Sequence, residues 1–158
     1  MNEKYADIVL NSLKYLRANR YMLLFCFIIM PDHVHVFIKP RGKYDIHKVT
    51  SKFCSYTGHA FLRQMEKNGE VRLLTKFRTT VFSKKQDRRY HFWRDSLAKN
   101  IFSYRALWRV MEYIHSNPCN KKWHLVDDRA DYKYSSACFY DRDEKPIIEI
   151  DDVRNWVF

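Results

Sequence analysis

The stretch YMLLFCFIIMPDHVHVFIK, residues 21–39, decides the reading of the fold. Its first ten residues are apolar, rich in β-branched and aromatic side chains, and too few for a typical buried helix, so they predict a well-buried strand. Pro31-Asp32 interrupts the run, and HVHVFIK (33–39) resumes with strict alternation. Two strands across a short Pro-Asp turn predict an antiparallel hairpin. Ten apolar residues are about half a membrane span, so no membrane association is expected.

Upstream of this stretch, residues 3–18 set Tyr5, Ile8, Val9, Leu13 and Leu16 at helical spacing. Downstream, residues 45–66 predict a second helix whose Ile46, Val49, Phe53, Ala60 and Phe61 face a sheet. Residues 72–94, RLLTKFRTTVFSKKQDRRYHFWR, read as a strand or extended arm. Residues 97–117 carry Ile101, Tyr104, Leu107, Trp108, Met111 and Ile114 on one helical stripe, which Asn117-Pro118 ends. The remainder is irregular, with a short closing helix. This order predicts a single α+β domain over residues 1–158, with helices packed on an antiparallel, ferredoxin-like sheet.

Composition narrows the function classes. With 46% hydrophobic residues the chain is not globally disordered, and three glycines leave no glycine-rich phosphate cradle. Cys26, Cys54, Cys119 and Cys138 are widely spaced with no CxxC pair, as expected of reduced thiols. The N-terminal residues carry charges where a signal peptide needs its apolar centre, so a cytoplasmic protein is expected. Net charge is +11 and aromatic content 16%. Residues 1–126 hold 24 basic and 9 acidic side chains; residues 127–158 hold 5 and 9, an acidic tail placed to cover an edge or tune release. A basic, aromatic, glycine-poor domain points to a polyanion, with nucleic acid leading.

Three features bear chemistry. His33 and His35 are two apart on a predicted strand, so both imidazoles leave one face; they are half of a metal site or a pair of ordinary sheet histidines. Tyr113 falls opposite the centre of the apolar stripe, with Asn117 one turn further on the same side. Such a hydroxyl faces solvent, a second packed surface or a site. Within 72–94, eight Lys or Arg are interleaved with rings. Lys76, Arg78, Lys84, Lys85, Arg88, Arg89 and Arg94 suit phosphates and Trp93 suits unpaired bases, unless the rings are core. Asp32 is assigned to turn geometry and His115 to helix packing.

Together, MPDHVHVFI (30–38) and MEYIHSNP (111–118) resemble the single-tyrosine HUH transposases, most of all the branch associated with repetitive extragenic palindromes. His33-Val34-His35 matches the histidine–hydrophobe–histidine motif, and Tyr113 with Asn117 matches the helical tyrosine followed four residues later by Gln or Asn. Phe92-Trp93-Arg94 and YKYSSA (132–137) match flanking segments, in the same order along most of the chain.

The resemblance implies an HUH-endonuclease type of fold. It also implies a Mg2+ or Mn2+ ion held by His33, His35 and Asn117, and Tyr113 as the nucleophile that forms a 5′-phosphotyrosine link. The substrate would be single-stranded DNA beside a hairpin like those of such palindromes, with the enzyme a monomer or homodimer. Family members usually begin with a strand before the first helix, so the sheet is expected to lack it. This departure motivates an alternative, a non-catalytic hairpin-binding or regulatory protein descended from such an enzyme. A metal-stabilised protein with no nucleic-acid partner is a third reading.

Overall fold

The computed structural model describes residues 3–77, 92–93 and 98–156. Helix α1 (Glu3–Ala18) leads into strand β1 (Met22–Ile29), which pairs antiparallel with β2 (Val34–Pro40). Helix α2 (Ile46–Lys67) follows, then α3 (Val71–Phe77), α4 (Tyr104–His115), and α5 (Ala137–Arg142), with single 3-10 turns at Asn117–Cys119, Arg129–Asp131 and Val153–Asn155. The chain is α+β, but among the described residues the sheet has two strands. The further strands of a ferredoxin-like sheet are not found there.

The hairpin is the middle layer. On one face Met22, Leu24, Phe27 and Ile29 pack with α1 (Ala6, Val9, Leu10, Leu13, Leu16) and with Val49 and Phe61 of α2. On the other, Phe25, Cys26, Ile28, Met30 and Phe37 pack with Leu107, Met111 and Ile114 of α4 and with Val153. Burial on both faces is why β1 is apolar throughout instead of alternating. A bulge between Leu24 and Cys26 puts neighbours Phe25 and Cys26 on the α4 side. One extra residue reverses the parity of the strand, so even positions face α1 before it and odd positions after it.

The edge of β1 away from β2 is closed by the C-terminal quarter of the chain. Ile29 N–H donates to Tyr134 O at 2.9 Å, and Ser136 N–H to Phe27 O at 3.1 Å. Phe27 N–H donates to Ser136 Oγ at 3.0 Å and Leu24 N–H to Asp151 Oδ2 at 2.9 Å. The Leu24 carbonyl accepts from Asp151 N–H at 2.7 Å, and the Phe25 carbonyl from the Tyr140 hydroxyl at 2.7 Å. A bare strand edge buried beside a core would leave these groups unpaired. Residues 132–151 supply the partners, mostly without forming a strand.

Local chemistry accounts for the helix ends. Asp45 caps α2 by accepting from Lys48 N–H at 2.7 Å, and Ser103 caps α4 by accepting from Ala106 N–H at 3.2 Å. The α4 cap shortens the helix expected over 97–117: residues 98–103 are not helical, and Tyr104 is largely exposed. At the end of α2, Gly69 takes φ +67°, its N–H bonds Glu66 O, and Glu70 N–H bonds Met65 O. This left-handed stop reverses the chain into α3. Residues 71–77 are therefore helical, where a strand or extended arm is expected from sequence. The apolar Val71, Leu73 and Leu74 are compatible with either element, and the glycine turn settles it. The rest of that stretch, apart from Phe92 and Trp93, lies outside the described residues.

All four cysteines are free thiols. No helix of the described residues is long and apolar enough to cross a membrane.

Ser136→Ala removes both the acceptor for the buried Phe27 N–H and the partner of His115. It is expected to destabilise the fold by about 1–3 kcal/mol in urea unfolding, with secondary structure retained. A loss below about 0.5 kcal/mol would show that the edge is not held at this point.

Candidate functional site

The strict alternation of β2 sends His33, His35 and Phe37 toward α4, and Val34 and Ile38 toward α1 and α2. Phe37 is buried in the α4 core, while the histidines, nearer the turn, reach beyond it. The two imidazole rings lie 4.9 Å apart at 71°. The Tyr113 ring stands 5.4 Å from that of His35 and is 60% exposed. Tyr113 is thus off the core stripe of α4 and beside the histidine pair.

Asn117 is buried at the start of the 3-10 turn after α4. Its Nδ2 donates to Tyr113 O at 2.8 Å and to Ile114 O at 3.2 Å, which uses both amide hydrogens. The Oδ1 is left facing His33 Nε2 at 3.4 Å. On the other side of that ring, Nδ1 hydrogen-bonds the Asp32 carboxylate. Burial disfavours the Asp32 charge, but the His33 hydrogen bond and the Lys122 ammonium at 3.4 Å outweigh it and hold the carboxyl below its ordinary range.

With the Nδ1 hydrogen given to Asp32, His33 Nε2 presents a lone pair to an oxygen that also presents lone pairs. A cation, a proton or a water that donates to both would satisfy them. Burial first, and then the neighbouring His33, lower the pKa of His35, which favours the neutral form. No described residue hydrogen-bonds the His35 ring. The amide oxygen is the kind of donor that suits Mg2+ and Mn2+, whereas the two imidazole nitrogens are softer donors that suit transition ions such as Fe2+ and Zn2+ more. Among the described residues no group of three or more His, Cys, Asp or Glu side chains is placed to hold a metal ion. Together His33, His35 and Asn117 would present a mixed nitrogen and oxygen donor set to a divalent ion.

Two tethers place the end of α4. Arg129 bonds Glu112 at 2.6 Å, Asp141 at 2.7 Å and the Ser116 hydroxyl at 3.4 Å, tying the last turn to α5. His115 is 2% exposed and pairs with Ser136 Oγ at 2.9 Å, tying the same turn to the β1 edge. His115 thus takes the packing role expected for it. Asp32 does more than shape a turn, since it orients His33.

Sequence reasoning also missed Lys122 and Trp123. The Trp123 ring lies 6.4 Å from that of His33, with the Lys122 ammonium 4.7 Å above it. Neither belongs to a recognisable spacing pattern, and only the fold of the loop after Pro118 brings them here.

The basic-aromatic segment is only partly visible. Lys76 is exposed on α3. Trp93 donates from Nε1 to Thr57 Oγ1 at 2.9 Å and packs against Phe53, Phe61 and Phe92, so much of its ring is occupied by the protein. Arg78, Lys84, Lys85, Arg88, Arg89 and Arg94 lie outside the described residues.

Two measurements test this geometry. Titration calorimetry with Mn2+ should show one site, weakened at least tenfold by His35→Ala and about 10–100-fold by Asp32→Asn, which removes only the group orienting His33. Equal affinity in all three proteins would remove the site. The second concerns His115, whose pKa is pushed down to about 4, chiefly by burial and then by Arg129, against the opposing pull of Asp141 and Glu112. The unfolded imidazole gains its proton near 6.5, so the unfolded state binds protons first and stability falls as pH drops from about 6.5 to 4. The loss should be on the order of 3 kcal/mol in urea unfolding and absent in His115→Gln, apart from whatever background slope the carboxylates give both proteins.

Comparison of the chain with protein-family models, curated proteins and solved structures gives no match.

Proposed function

We propose that the chain is a DNA-nicking strand transferase of the single-tyrosine HUH type, acting on single-stranded DNA next to a hairpin. The observation that carries this reading is the convergence of Tyr113, His33, His35 and Asn117 at the turn end of the hairpin, from segments about 80 residues apart. A tyrosine that is 60% exposed, yet beside an imidazole pair of which His33 is oriented by Asp32, has the access a nucleophile needs.

The Tyr113 oxygen attacks the scissile phosphorus, a bond forms between them, and the bond to the 3′-oxygen breaks. The phenol proton leaves to solvent, and the departing 3′-oxygen takes one up. The products are a 5′-phosphotyrosine and a free 3′-hydroxyl, which by attacking the phosphotyrosine reverses the step or joins a new strand. A divalent ion on His33, His35 and Asn117 would neutralise phosphate charge and stabilise the leaving oxygen. Asp32 holds the tautomer that gives His33 Nε2 its ligating lone pair. Lys122 and Trp123 offer a cation and a ring to the strand entering the site.

Labelled single-stranded hairpin DNA with Mn2+ should yield a covalent adduct that survives denaturation, is lost in Tyr113→Phe, and falls at least 100-fold in His35→Ala. Equal adduct from Tyr113→Phe, or none across a broad set of hairpins, would overturn the enzyme. Tight hairpin binding without adduct would favour the non-catalytic alternative.

A further inference from the structure

We propose that a tyrosine cluster at the open end of the hairpin is a second binding surface, which holds a single-stranded stretch of DNA by base stacking and phosphate neutralisation. The choice of DNA over RNA rests on the strand-transferase reading; the surface itself does not. Tyr44 and Tyr21 have ring centroids 4.4 Å apart, and Tyr15 stacks beyond Tyr21 at 6.2 Å and 27°. The Lys52 ammonium lies 4.7 Å over the Tyr21 ring. From Tyr15 a groove of about 410 Å³ continues between α1 and α2, lined by Asn11, Ser12, Tyr15, Leu16, Lys52 and Tyr56. Its volume lies within the range of small-ligand sites.

Two observations specify the occupant. Tyr15 and Tyr56 are 57% and 51% exposed, so they contribute little to the core and leave much of each side chain open to solvent. Charge supplies the second. No carboxylate lines the groove, and Lys14, Arg20, Arg41, Lys43 and Lys48, close in sequence to Tyr15, Tyr21, Tyr44 and Lys52, are exposed, with no salt bridge to a described residue. Within residues 11–24 and 41–56 the one acidic side chain is Asp45, and its carboxylate is engaged in capping α2. Rings alone would suit many ligands; rings interleaved with uncompensated cations select a polyanion with flat, stackable groups. A duplex offers phosphates but keeps its base faces stacked inside, so a single strand is the better match.

This surface is separate from the histidine site. Tyr21 precedes Met22, which pairs with Pro40, whereas His33 lies beyond the Ile29–Val34 pair at the opposite end. The length of the hairpin puts roughly 20 Å between them. A strand bound at both places would be held on either side of that span.

The test measures anisotropy of labelled oligothymidine in EDTA, with every protein carrying Tyr113→Phe so that no phosphodiester chemistry contributes. Tyr15→Ala and Tyr56→Ala should each weaken binding about fivefold or more, while Tyr15→Phe, which keeps the ring, should bind as the parent does. Lys52→Gln should lower the salt dependence by about one charge. Photo-crosslinking with 5-iodouracil DNA should mark Tyr15, Tyr21 or Tyr56. Both positions are exposed, so thermal melts of the alanine variants should match the parent. Full affinity in both alanine variants overturns this surface, whatever the adduct assay gives. A duplex that binds as tightly as the single strand overturns the stacking, and oligouridine binding more than about tenfold tighter overturns the choice of DNA. A protein that forms no adduct, yet loses affinity in Tyr15→Ala, keeps this surface and loses the strand-transferase reading.

Discussion

Ser136 sits at the junction on which the structure depends. Its hydroxyl accepts from Phe27 N–H on the β1 edge and pairs with His115 at the end of α4, while its backbone N–H returns to the Phe27 carbonyl. A two-stranded hairpin is marginal on its own, because one edge of each strand stays unpaired and each face needs cover. Here the edge is closed by residues 132–151 and the faces by α1 with α2 and by α4. The same contacts that close the edge also position α4. The tail therefore belongs to the architecture, and its acidic character is largely accounted for by ion pairs with Arg17, Arg129, Arg142 and Arg154.

The candidate site follows from that junction. Tyr113 and Asn117 flank His115 and Ser116, and Arg129 bonds Ser116 and the adjoining Glu112, so the tethers fix the height and rotation of the helix end relative to the histidines. The Asn117 amide is then oriented by two backbone carbonyls and the His33 ring by Asp32. Each donor atom facing the gap between them is set by a hydrogen bond on its far side. Such pre-organisation is what a metal or phosphate site requires, since reorientation after binding would cost affinity.

Much of this was legible from local pattern. The apolar run and its alternating partner gave the hairpin, and helical spacing gave α1, α2 and the off-stripe placement of Tyr113. Other features were not legible, each for a specific reason. The bulge at Phe25 is invisible because every residue around it is apolar, so reversing the parity changes no polarity pattern. Helix α3 reads equally well as extended chain because its short basic-apolar sequence fits either state, and the left-handed Gly69 decides between them. Trp93 resembles a base-stacking ring in sequence, yet Thr57, 36 residues away, accepts its indole N–H and the ring packs on Phe53 and Phe61.

Taken alone, the sequence determined what short-range periodicity controls: two strands joined at Pro31-Asp32, His33 and His35 on one face, a helix with Tyr113 off its core stripe, and a basic body with an acidic tail. Tertiary structure decided which of these meet. The bond between Phe27 and Ser136 spans 109 residues and that between His33 and Asn117 spans 84. Contacts of that range leave no periodic trace, because they are set by which buried donors and acceptors must find partners once the layers close. That requirement brings the helix end to the hairpin turn, places Lys122 and Trp123 beside it, and leaves Tyr15 and Tyr56 uncovered at the far end.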